Sequence, residues 1–159
     1  MKTLVTYYSF TGNTDRIAGM FVKLMDTRGS VDVQRLKPAK EITDFFGQCM
    51  AARMKQSPEL AQEFKYDMSS YDLLFLASPV WAFAPAPAIN TYIKKLTGLN
   101  GKRVIVLLTS GSGVGVKNCF KYLRRSLETK GAARIDEINI PDKQNSDNDF
   151  IISSIQKVL

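Results

Sequence analysis

Ser9, Thr11 and Thr14 place three hydroxyls in one short turn, Ser9-Phe10-Thr11-Gly12-Asn13-Thr14. The β-rich run Thr3–Tyr8 leads into it and a helical pattern follows at once. Such a turn points backbone N–H groups and hydroxyls at one spot beside the positive end of a helix dipole, and that spot suits a phosphate. The turn has no Lys and no Gly-Lys-Ser/Thr ending, so it is not a nucleoside-triphosphate loop. It also lacks the G-x-G-x-x-G spacing of a dinucleotide site. Neutral donors alone fit a monophosphate that stays bound. Gly12 would let the backbone come close, with the N–H groups around Asn13 completing the cradle. The plainer alternative is that Thr11 or Asn13 only caps the helix.

Two more segments have unusual chemistry. Ser78 to Pro87 reads Ser-Pro-Val-Trp-Ala-Phe-Ala-Pro-Ala-Pro and holds the only Trp of the chain. An apolar loop with Trp81 and Phe83 is odd if it merely faces water, and it would make an aromatic wall for a planar ring. Alternatively, Trp81 and Phe83 fold inward or meet a second subunit. Thr109-Ser110-Gly111-Ser112-Gly113-Val114-Gly115 leaves backbone groups uncovered at its glycines. Its alternative is a flexible turn.

Composition narrows the chemistry. The 159 residues are one domain, 1–159, long enough to bury a sizeable core. There is no histidine, which removes Ser-His-Asp and Cys-His catalysis, the common zinc sites and histidine acid–base work. No metal site is expected, and no side chain is assigned a catalytic role. Tyr7, Tyr8 and Tyr122 are proton donors without a defined place, so a reactive cofactor is favoured. Cys49 and Cys119 have neither C-x-x-C nor metal spacing and read as reduced thiols. The net charge of +7 fits a solvated basic surface, an anionic substrate or cofactor, or an acidic partner. No nucleic-acid recognition motif accompanies it. The most apolar stretch, Leu73 to Ile89, is broken by prolines and does not read as a membrane span. With no secretory signal visible, the expected compartment is the cytoplasm.

The elements that must position these segments alternate. Strands are expected at Thr3–Tyr8, Val31–Leu36, Leu73–Ala77, Val104–Leu108 and Ala133–Ile140. Helices are expected at about Asn13–Thr27, within 40–66 with a break near Ser57-Pro58, and at Pro85–Leu96, Gly115–Lys130 and Ser146–Val158. Ile17, Phe21, Leu24 and Met25 give the first helix one apolar face. Strict alternation predicts an α/β, doubly wound three-layer sandwich around a five-stranded parallel sheet. Its ligand site would lie at the carboxyl ends of strands one, three and four, which the three unusual segments follow.

The hexapeptide resembles the Thr/Ser-x-Thr-Gly-x-Thr phosphate loop of the flavodoxin family, and the other two segments fall where that family would place them. The resemblance covers essentially the whole chain. It implies strand order 2-1-3-4-5 and bound flavin mononucleotide (FMN). It further implies that Ser9, Phe10, Thr11, Gly12, Asn13 and Thr14 hold the phosphate. Pro79, Val80, Trp81, Ala82 and Phe83 would flank the isoalloxazine, and Ser110, Gly111, Ser112, Gly113 and Val114 would run along the ring edge. Electron-carrier flavodoxins are acidic and usually carry a stacking Tyr in the third loop; this chain is basic, and residues 109–117 hold no aromatic. An uncovered ring face suits hydride from a nicotinamide, or a quinone-like acceptor. Residues 117–134 hold six basic side chains against Glu128 alone. Lys117 and Lys121 are candidates for a pyridine-nucleotide phosphate, and a solvated helix face is the alternative. The expectation is an FMN-dependent oxidoreductase, with NAD(P)H and a small acceptor as partners. The alternative is an electron shuttle between redox proteins, and a homodimer completing the pocket stays open. A third reading is a binding protein that kept the fold and lost the flavin.

Overall fold

In a computed structural model that describes residues 1–159, the apolar runs become the centre of one sheet. Strand β1 spans Lys2–Tyr7, β2 Ser30–Arg35, β3 Leu73–Trp81, β5 Arg103–Ser110 and β6 Arg134–Pro141, and all five run parallel. The two-residue strand β4, Ala84–Pro85, folds back antiparallel on the end of β3. The order is β2-β1-β3-β5-β6, which is 2-1-3-4-5 once β4 is set aside.

Five helices cover the sheet: α1 (Asn13–Met25), α2 (Phe45–Arg53), α3 (Pro87–Lys95), α4 (Val116–Thr129) and α5 (Asn148–Gln156). Successive strand residues face opposite layers. Val5, Phe75 and Ile105 pack against Ile17, Phe21 and Met25 of α1 and against Ile151 and Ile155 of α5. Leu4, Leu74 and Val104 pack on the other side against Ile89 and Tyr92 of α3 and Leu123 and Leu127 of α4. The central strands are buried on both faces, which is why they read as unbroken apolar runs. Phe21 stacks on Phe75 with ring centroids 3.8 Å apart, tying α1 to the sheet.

Three expectations need correction. Residues 40–66 do not form a broken helix: only Phe45–Arg53 is helical. Beyond Pro58 the chain is irregular apart from an antiparallel bridge of Leu60 to Pro38, with Ala39 N–H donating to Glu59 C=O at 2.8 Å and Ala61 N–H to Lys37 C=O at 2.9 Å. Further on, Lys65 N–H donates to Gln34 Oε1 at 2.8 Å, so this stretch covers the open edge of β2. Second, β3 and β5 run past Ala77 and Leu108 into the site, to Trp81 and Ser110. Third, the last helix starts at Asn148, capped by Asp147, after a short 3₁₀ turn at Asp142–Gln144. The other helix and strand ends move by one or two residues.

Candidate functional site

The loops after β1, β3 and β5 meet in one cleft of about 560 Å³. At its first end the chain turns through Gly12, whose φ of 94° is the left-handed conformation that a side chain disfavours. Gly12 is the N-cap of α1, and no side chain caps the helix. Thr11 and Asn13 therefore do not cap it, and the first-turn N–H groups have no protein partner from a cap. Thr11, Asn13 and Thr14 line the cleft at this point. Ser9 and Gly12 stand behind the lining: the buried Ser9 Oγ accepts from Gly12 N–H at 3.2 Å and shapes the loop.

Arg35, at the end of β2, braces the loop from outside by donating to Ser9 C=O at 3.0 Å. It also lies 3.8 Å from Asp15, whose carboxylate accepts the Tyr7 hydroxyl. Asp15 sits in the first turn of α1 and does not line the cleft. The Tyr7 hydroxyl is pushed up to about 12 by burial first and by the bond to Asp15 second. Tyr8 donates to Glu41, and burial followed by that bond raises it further. Tyr122 donates to Asn90 Oδ1 at 3.2 Å. None of the three tyrosines lines the cleft.

The apolar wall comes from Pro79 to Phe83, all of which line the cleft. Here β3 turns into β4 through a two-residue hairpin loop with Ala82 at φ 45° and Phe83 at φ 72°. Two consecutive non-glycine residues in this region are strained, by about 1–3 kcal/mol each, and persist only where packing holds them. The packing is visible. Ser78 Oγ accepts from Ala86 N–H at 3.0 Å, and Phe83 lies against Gly115 so closely that a Cβ there would fall 2.7 Å from Phe83 Cδ1. Trp81 is only 9% exposed and meets Tyr8 and Phe10 edge-on, with centroids 5.5 and 6.2 Å away. It therefore belongs to both the core and the wall, whereas Phe83 is about half exposed at the mouth.

From the third loop, Ser110, Gly111, Ser112 and Val114 reach the cleft; Gly113 does not. Thr14 Oγ1 and Thr109 Oγ1 lie 3.1 Å apart, a buried bond that ties the first loop to the third. Lys117 and Lys121 are exposed on α4 outside the cleft lining. Of their basic neighbours, Arg124 pairs with Glu137 and Arg134 with Asp136. Both cysteines are free. Burial pushes the Cys119 thiol up to about 12, so it is held protonated.

Four lining residues lay outside the site assigned from sequence. Thr109 opens the third segment, just ahead of its assigned residues, Asp142 follows β6, and Phe45 and Gln48 come from α2. Only Thr109 carried a sequence signal, as the first residue of the third segment.

Comparison with known proteins identifies the family and the fold. A family model described as Flavodoxin matches residues 2–134. No curated protein matches the sequence. Among solved structures, a flavoprotein from Lactobacillus acidophilus in complex with FMN is 23% identical, with a TM-score of 0.70 over 90% of this chain and 95% of that one. A flavoprotein from Bacteroides eggerthii is 26% identical, with a TM-score of 0.67 over 95% of this chain and 98% of that one. The apo form of an NADH:FMN oxidoreductase is 16% identical, with a TM-score of 0.65 over 99% of this chain and 86% of that one. With the family model spanning most of the sequence and the fold shared at full length, this chain belongs to the flavodoxin family.

Proposed function

We propose that this chain is an FMN-dependent oxidoreductase that passes electrons through the flavin, from NAD(P)H to a quinone-like acceptor. One observation carries the reading: a helix N-terminus free of any side-chain cap and an aromatic wall open into the same cleft. The donor set fits the cofactor's phosphate, with N–H groups of Asn13 and Thr14 and hydroxyls of Thr11 and Thr14 at the positive end of α1. The wall from Pro79 to Phe83 fits a flat ring, and about 560 Å³ lies within the range of cofactor pockets. FMN supplies hydride and single-electron chemistry; the protein supplies position and electrostatics.

The residues divide that work. The α1 terminus binds the anionic end and sets how deep the ring enters. The Ala82-Phe83 hairpin, braced by Gly115, holds the wall in place and excludes water from one side. The Thr14–Thr109 bond fixes the distance between the two loops. No side chain here is given a proton-transfer step, since Tyr7, Tyr8 and Tyr122 are all turned to other partners.

The exposed rim of Phe10, Phe45, Phe83 and Val114 favours a second reading, an electron shuttle that docks a redox protein over the cleft. A homodimer closing the cleft would use the same rim. Two free thiols favour a cytoplasmic setting. No helix is long and apolar enough to cross a membrane. Stopped-flow mixing of the FMN-loaded protein with NADPH and a quinone separates the readings. Rapid NADPH oxidation supports the enzyme; oxidation only after a reductase is added supports the shuttle.

A further inference from the structure

Six buried side-chain oxygens have no hydrogen-bond partner, and among them only Gln48 Oε1 belongs to a residue that lines the cleft. Gln48 is 2% exposed, and less than 1 Å² of Oε1 meets solvent. Its other end is committed: Nε2 donates to Ile42 C=O at 2.6 Å. That bond settles which end of the amide is which, because a reversed amide would set two oxygens against each other. Asp44 caps α2 through Gly47 N–H at 2.6 Å, so the turn carrying Gln48 is held firmly. What remains is an acceptor with no donor, on a residue that lines the cleft together with the Pro79–Phe83 wall. Buried acceptors are nearly always paired, so an orphan on a ligand cleft points to a ligand that brings the donor.

We propose that Gln48 is a donor-reading residue of the cleft, its Oε1 accepting a hydrogen bond from a ring-borne N–H of the molecule seated there. This rests on the FMN-oxidoreductase reading and adds its specificity. Gln48 also borders a small side cavity with Tyr8, Trp81, Pro87 and Ala88, which Thr11 and Thr14 do not line. A ring N–H is therefore matched rather than a sugar hydroxyl near the phosphate end. Two molecules offer it: the flavin through its imide, and a nicotinamide through its carboxamide. A quinone offers only carbonyl oxygens and gains no bond from Gln48 Oε1. The residue thus favours the reductant or the cofactor over the acceptor.

The test compares ligands with and without the donor. FMN and 3-methyl-FMN are titrated into the wild-type protein, Gln48→Met and Gln48→Glu, with flavin fluorescence as the readout. In parallel, KM is measured for NADPH and for its 3-acetylpyridine analogue. Both variants lose the tether to Ile42, but only Gln48→Glu keeps an acceptor, so the loss of the tether by itself is common to both. The wild type should favour the donor-bearing ligand about fivefold in one arm, the size of one neutral hydrogen bond. Gln48→Met should abolish that preference and Gln48→Glu should retain it. The arm in which this happens names the partner. A wild type without preference in either arm overturns the proposal, as does a preference that survives in Gln48→Met. Absence of FMN binding by the wild type would remove the cofactor reading as well; binding without discrimination removes only the role of Gln48.

Discussion

Replacing Thr11 and Thr14 together by Val removes both hydroxyls from the lining of the cleft while nearly keeping their volume. A hydrogen bond to a charged group is worth about 1.5–3 kcal/mol, so losing two from a phosphate should weaken FMN binding by about 3–6 kcal/mol, or 10²- to 10⁴-fold. Thr14 plays a second role that the structure isolates. Its hydroxyl is 3.1 Å from Thr109 Oγ1 in a buried bond, so Thr14→Val also strands Thr109. Leaving that group unsatisfied destabilises the apoprotein by about 1–3 kcal/mol. Thr11 is exposed, so Thr11→Val alone should weaken binding with little loss of stability. Urea unfolding of the apo forms and fluorescence titration with FMN separate the two effects. An affinity for FMN that changes less than tenfold in the double variant would refute a phosphate at this turn.

Other substitutions test other parts. Gly115→Ala forces a Cβ to within 2.7 Å of Phe83 at φ 83°, so urea unfolding should show a loss of at least about 2 kcal/mol, with FMN affinity falling too; an unchanged midpoint would contradict the packing. The Tyr7 hydroxyl titrates near 10 when unfolded and near 12 when folded. The folded chain thus holds that proton more tightly, and its contribution is complete below pH 10 and lost between about pH 10 and 12. Tyr7→Phe should make the alkaline loss of stability shallower in pH-dependent unfolding, and an identical slope would count against the buried Tyr7–Asp15 bond. A net charge of +7 favours the anionic reduced flavin, so potentiometric titration should give a second reduction potential less negative than in acidic flavodoxins.

The sequence made the first turn readable because its signal is local. A hydroxyl-rich hexapeptide between a β run and an amphipathic helix has few folded meanings, and Gly12 stands where a backbone reversal was required. The sheet order was readable from the alternation and the family likeness. Residues 56–66 were misread because their structure comes from distant partners. Gln34 and the backbone of residues 37–39 hold them in place, and no short-range pattern encodes that. Pro79 made Ala77 look like the end of a strand. At Ser78 and Pro79, β3 pairs with β5 alone, and there a missing N–H is tolerated. For Trp81 the wall and the inward-folding alternative were both legible, and the side chain does both, lining the cleft and packing into the core. Phe45, Gln48 and Asp142 reach the cleft only through tertiary folding, from elements whose own sequences carry no ligand motif.

The most direct measurement is a paired titration of the apoprotein with FMN and with riboflavin, which differ only in the phosphate. If the uncapped terminus of α1 holds that phosphate, FMN should bind at least 10²-fold more tightly than riboflavin, the equivalent of two or more charge-assisted hydrogen bonds. Equal affinities, or no binding of either, would contradict the placement of the anionic end at Thr11–Thr14.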